Sequence, residues 1–85
     1  MNEIQSSDVE LRKLEWRCRR GMKELDFLLL RYLRECHATA DRDERAAFVE
    51  FLALPDPELA RYLIGGDVPN DSRHAALCRS LLRSN

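Results

Sequence analysis

Leu25-Asp26-Phe27-Leu28-Leu29-Leu30-Arg31-Tyr32-Leu33-Arg34-Glu35-Cys36 is the stretch that decides the fold class of this chain. Its residues Leu25, Leu28, Leu29, Tyr32, Leu33 and Cys36 recur at i, i+3, i+4, i+7, i+8 and i+11, which draws one apolar stripe along an α-helix. Nowhere does the chain show a β-branched run of alternating polarity, or a hairpin dipeptide between two such runs. The periodicity is helical throughout.

Upstream, a first helix is expected from about Asp8 to Arg19, with Ser7 as its N-cap and Leu11, Leu14 and Cys18 on its apolar stripe. Gly21 is placed to stop it, because glycine enters the left-handed region at little cost. Downstream, Asp41 followed by Glu44 resembles a capping box. It opens a third helix that presents Ala47, Phe48, Phe51 and Leu52 and is stopped by Pro55. Asp56-Pro57-Glu58 opens a fourth, with aspartate as cap and proline at the first position, carrying Leu59, Tyr62 and Leu63 as far as Gly65-Gly66. Val68-Pro69-Asn70-Asp71 leads into a fifth, with Leu77, Cys78, Leu81 and Leu82 as its apolar face. Short connectors make this an all-α, compact five-helix bundle: one domain over residues 1–85, frayed at residues 1–7 and 83–85.

A chain of 85 residues has room for one small core and little for an interior catalytic pocket beside it. Its net charge of −1 excludes general polyanion binding unless the arginines are locally segregated. No apolar run is long enough to span a bilayer, and Glu3, Asp8 and Glu10 do not suit a secretory signal or a basic transit peptide, so a cytoplasmic protein is expected. Cys18, Cys36 and Cys78 are odd in number with no close pair, which fits a reducing compartment rather than a disulfide framework. Cys36-His37 and His74-x-x-x-Cys78 offer ligand types, but no CxxC or HxxxH pair accompanies them and no metal is expected. Nor is there a nucleophile elbow, a glycine-rich phosphate loop or an HExxH helix. Catalysis is not expected.

Immediately before the decisive helix lies Trp16-Arg17-Cys18-Arg19-Arg20-Gly21-Met22-Lys23-Glu24-Leu25-Asp26, the corner of a helical hairpin. One reading is local: the arginines complement a helix C-terminus, Gly21 caps it, and Glu24 pairs with Arg20 across the turn. The other is functional: Arg19, Arg20 and Glu24 face outward as a recognition surface, and Gly21 lets a partner's backbone come close. Trp16 either wraps the bundle or joins an exposed contact patch. A helix-turn-helix reading fails, because Phe27-Leu28-Leu29-Leu30 is too apolar for a groove-reading face and Glu24 and Asp26 occupy the end that should meet phosphate. No nucleic-acid partner is expected.

Trp16-x-Cys18-Arg19-Arg20-Gly21-Met22-x-Glu24-Leu25-Asp26 closely resembles the signature of the SdhE-type flavinylation factors, called succinate dehydrogenase assembly factor 2 in mitochondria. The family's arginine-glycine-x-x-glutamate motif falls on Arg20, Gly21 and Glu24. Phe51-Leu52-x-Leu54-Pro55-Asp56-Pro57-Glu58-Leu59 and the Gly66-x-x-Pro69 spacing are also similar, so the resemblance covers about residues 8 to 83. One departure is Tyr62, where the family often has tryptophan. The missing transit peptide fits a bacterial member.

The resemblance implies a five-helix helper, not an enzyme, that promotes covalent attachment of FAD to a histidine of the succinate dehydrogenase flavoprotein, and in some bacteria of fumarate reductase. Arg19, Arg20, Gly21, Glu24, Trp16 and Asp26 are then the expected partner-binding residues. FAD is the client's cofactor, and without a Rossmann-type glycine fingerprint no tight FAD site is expected here. The helper is expected to be a monomer without membrane insertion. An antitoxin-like or adaptor role with a different protein partner is the alternative.

Overall fold

The computed structural model describes the backbone of residues 2–83 and the side chains of residues 9–83. Five helices appear in these residues: α1 (Asn2–Cys18), α2 (Lys23–Glu35), α3 (Arg42–Leu52), α4 (Asp56–Leu63) and α5 (Ser72–Leu82), with a 3₁₀ turn at His37–Thr39. Helix α2 packs against α1, α4 and α5, while α3 lies across α5 and touches α1. The stripe read along α2 faces this centre. Leu25, Leu29, Tyr32 and Leu33 are buried there with Ala47, Phe48, Phe51 and Leu52 of α3, Leu59 and Leu63 of α4, Leu77, Cys78 and Leu81 of α5, and Cys18 at the end of α1. Burying a side chain of this kind stabilises by about 1.5–3 kcal/mol. No described helix is long and apolar enough to cross a membrane.

Several local expectations change. Helix α1 begins at Asn2, so Ser7 lies inside it rather than at its cap; no proline or glycine interrupts residues 2–8. Leu11 is exposed, because α1, at 17 residues, is longer than α2 and its packed surface begins at Leu14. Leu82 is also exposed, one position beyond the buried Leu81 at the end of α5. The cap of α4 is Pro55, which places Asp56 and Pro57 in the first turn.

Asp41 caps α3 as expected, accepting the Glu44 N–H at 2.8 Å. The return half of the capping box is replaced by a longer connection. The Glu44 carboxylate accepts the Tyr32 hydroxyl instead, joining the start of α3 to the middle of α2. Burial, followed by this hydrogen bond to a carboxylate, holds the Tyr32 phenol far above its usual titration range.

The 3₁₀ turn was not foreseen. It buries His37 against Phe48, with ring centroids 5.4 Å apart, and near Tyr32. Burial first, and then the positive charge of Arg45, lower the His37 pKa below 6.5. As pH falls through 6.5 the unfolded chain takes up the proton while the folded chain resists it, so stability must fall with pH until the folded value is reached. In urea titrations between about pH 7 and about pH 5, His37→Phe should show a flatter stability profile than the parent chain. Equal slopes would remove His37 as the cause.

Candidate functional site: the α1–α2 corner

Helix α1 closes at Cys18, where Arg19 N–H turns back to the Trp16 carbonyl at 3.1 Å. Helix α2 opens at Lys23 after an extended Met22 that provides no side-chain cap. Asp26, one turn into α2, does the capping from a distance. Its carboxylate accepts the backbone N–H of Arg20 at 2.8 Å and of Gly21 at 3.2 Å, so two otherwise orphaned donors are satisfied. Gly21 sits at φ +81°, a conformation in which a side chain costs about 1–2 kcal/mol. An added Cβ there would meet no atom within 4 Å, so the space in front of Gly21 is open.

Arg20 does not face outward, and its guanidinium pairs with Asp56 rather than with Glu24. It is directed into the junction of α3 and α4, where Nη1 donates to Asp56 Oδ1 at 3.0 Å and to the Leu54 carbonyl at 3.4 Å, and Nη2 donates to the Leu52 carbonyl. The side chain is only 17% exposed. The cause is the acceptor supply: the end of α3 leaves carbonyls without helical partners, and Asp56 adds a carboxylate that a planar fork of donors can reach at the same time. Asp56, expected as a helix cap, serves as this ion-pair partner. The Nε of Arg20 is buried without a partner.

The outer surface of the corner is therefore formed by other residues. Trp16 is 76% exposed, and Arg19, Gly21, Lys23 and Glu24 are exposed beside it. Past Glu24 lies an open groove of about 690 Å³ lined by Lys23, Glu24, Phe27, Leu28, Leu63 and Ile64. Phe27 is 61% exposed and Ile64 50%, so the groove presents apolar surface to solvent between α2 and the end of α4. Sequence reasoning passed over both. The available signal was phase: Phe27 lies off the stripe formed by Leu25, Leu28, Leu29 and Tyr32, which makes it an exposed aromatic.

The buried Cys18 anchors the corner from inside, and desolvation pushes its thiol up to about 12; burial likewise pushes Cys78 to about 11. Neither is poised as a nucleophile. Away from the corner, Glu50, Asp71 and His74 bring ligand atoms within 4.8 Å of one another. Arg73 already bridges Glu50 at 2.6 Å and Asp71 at 3.4 Å, and His74 lies 3.1 Å from Glu50. Hydrogen bonds from His74 and then Arg73 lower the Glu50 pKa, as expected for a carboxylate committed to protein donors. His74 is thus engaged with Glu50.

The pattern of the family described as flavinator of succinate dehydrogenase matches residues 12–85, which includes the whole corner. The chain belongs to this family. It is similar to the FAD assembly factor SdhE of Xylella fastidiosa strain Temecula1, at 52% identity over 69 residues, covering 81% of this chain and 71% of that protein. It is 45% identical over 69 residues to the FAD assembly factor SdhE of Methylococcus capsulatus, covering 81% of this chain and 83% of that protein. The SdhE of Coxiella burnetii is 37% identical over 81 residues, or 95% of this chain and 94% of that one. No solved structure matches the chain.

Within this chain the motif residues divide by geometry. Arg20 and Asp26 hold the corner together, whereas Trp16, Arg19, Gly21 and Glu24 remain on its surface. Asp26→Ala leaves two backbone donors without their acceptor and should cost about 1–3 kcal/mol. Thermal unfolding followed by circular dichroism measures this, and an unchanged midpoint would show that water replaces the carboxylate without loss.

Proposed function

We propose that this chain is a non-catalytic assembly factor that binds the flavoprotein subunit of succinate dehydrogenase in the cytoplasm and promotes covalent attachment of FAD to a histidine of that subunit. The fumarate reductase flavoprotein is proposed as a second client. The observation that carries this reading is the Arg20-Gly21-x-x-Glu24 corner: Gly21 lies open at positive φ, Glu24 is exposed, and an apolar groove begins at Glu24. A partner can approach the backbone at Gly21 with no side chain in the way. Glu24 and Arg19 then supply polar contacts, and Trp16 supplies an aromatic one of the kind that dominates interface energies.

Arg20 and Asp26 act one step further back, by fixing the conformation in which those groups are presented. The bond-making chemistry belongs to the flavin and the client histidine. The helper binds best to the client conformer in which these two are aligned, and it favours that conformer by its difference in affinity between the two states. Alignment then lowers the barrier through proximity. The helper works as a monomer and holds no FAD tightly itself.

The test mixes apo flavoprotein subunit with FAD, with and without this chain, and reads covalently bound flavin by fluorescence on a denaturing gel. Glu24→Ala should lower stimulation about tenfold or more, the effect of losing one hot-spot residue, with helix content unchanged. Gly21→Arg should do the same through bulk, and Gly21→Asn, which tolerates left-handed backbone, controls for strain. If Glu24→Ala and Gly21→Arg both stimulated fully, the corner would not be the docking surface.

A further inference from the structure

A second groove, of about 490 Å³, runs between α1 and α3, and of the corner stretch Trp16 to Asp26 only Arg17 lines it. Lys13 and Arg17, one turn apart on α1, line one side, and Arg42 and Arg45 in the first turns of α3 line the other. Glu10 is the one acid of the lining. The groove thus carries four cations against one anion, a balance of +3, on a chain whose total is −1, so the rest of the molecule carries −4.

Helix electrostatics do not favour this arrangement. Arg42 and Arg45 stand near the N-terminus of α3, where the helix dipole disfavours positive charge. Arg45 donates to the carbonyls of Ala40 at 3.1 Å and Ala38 at 3.0 Å, so its charge is not cancelled by a carboxylate. Lys13, Arg17 and Arg42 form no ion pair among the described side chains.

An independent feature lies in the same lining. His37 is 9% exposed, and its Nδ1 is buried with no hydrogen-bond partner. An unsatisfied buried polar atom costs about 1–3 kcal/mol, and in the tautomer whose proton sits on Nδ1 an acceptor supplied by a ligand removes that cost.

We infer that the α1–α3 groove is a docking site for an acidic peptide segment of a protein partner. Length favours a segment over a small ion. From Glu10 to Arg17 the groove follows α1 for about 10 Å, the span of about three extended residues. A single small anion reaches cations on one part of that span, whereas successive carboxylates reach all four. Leu14 and Val49, also in the lining, provide apolar wall for the methylene stems of glutamate side chains.

The test needs no flavoprotein, so its outcome is separate from that of the flavin-attachment assay. The full chain is titrated with a hexaglutamate peptide, and in parallel with succinate and with inorganic phosphate, while backbone amides and the His37 ring are followed by NMR. Bound carboxylates oppose the effect of Arg45 and act in the same sense as Glu44, the charged groups that influence His37, so the His37 ring should titrate higher in the complex. Tyr32 and Phe48, which pack on that ring, remain uncharged. The peptide should shift α1 and α3 resonances around the groove, and the double variant Arg17→Ser, Arg42→Ser should weaken it by about tenfold or more with the fold intact. Binding should also weaken steeply with salt. Absence of binding, equal binding by the double variant, or saturation by succinate or phosphate at the same concentration as the peptide would each overturn the inference.

Discussion

The guanidinium of Arg20 reaches from the α1–α2 corner to the Leu52 and Leu54 carbonyls and the Asp56 carboxylate, tying one helical junction to the next. The end of α3 and the start of α4 would otherwise present acceptors with no donor, and the corner would be held by the bonds of Asp26 and by the packing of Leu14, Cys18 and Met22 in or against the core. One side chain meets both needs, because five donors in a rigid plane can serve acceptors arranged around it. Lysine has the same charge but lacks the fork, so it could serve one of these acceptors well and the others poorly. Asp26 completes the arrangement from below by fixing the backbone on which Arg20 stands. The surface residues Arg19, Gly21 and Glu24 inherit their positions from these two.

A similar economy appears at the opposite end of α3. Glu44 could have returned to its own helix cap, yet it accepts the Tyr32 hydroxyl and so links α3 to the centre of α2. The two links restrain α3 at both ends, one near Glu44 and one past Leu52, around the buried rings of Phe48 and Phe51. Polar side chains thereby set the placement of a helix whose apolar face alone would permit some sliding.

Much of this was legible before any coordinates. Apolar stripes with a period near 3.6 marked the helices, and the stripe of α2 picked out buried Leu25, Leu29, Tyr32 and Leu33. The Asp41 cap and the break at Pro55 were found from local chemistry, and the stretch ending at Asp71 marked the approach to α5. The motif of arginine, glycine and glutamate located the corner. What stayed hidden depended on distance in sequence: the reach of Arg20 to Asp56 crosses 36 residues, and no local pattern says which acceptor a long side chain will find. The start of α1 was missed because a serine followed by aspartate looks like a cap even when the helix runs through it. Leu82 was assigned to the core on spacing alone, although only the neighbouring helices decide how far a stripe is covered.

Trp16 is the chain's single tryptophan, and it stands 76% exposed on the face where the corner opens. Its indole is already surrounded by water in the folded protein, so its emission colour changes little when the bundle melts. Intrinsic fluorescence is therefore a poor thermometer for this fold. It is a sensitive gauge of anything that covers the corner, because a dry contact would shift to the blue a signal that no other tryptophan obscures.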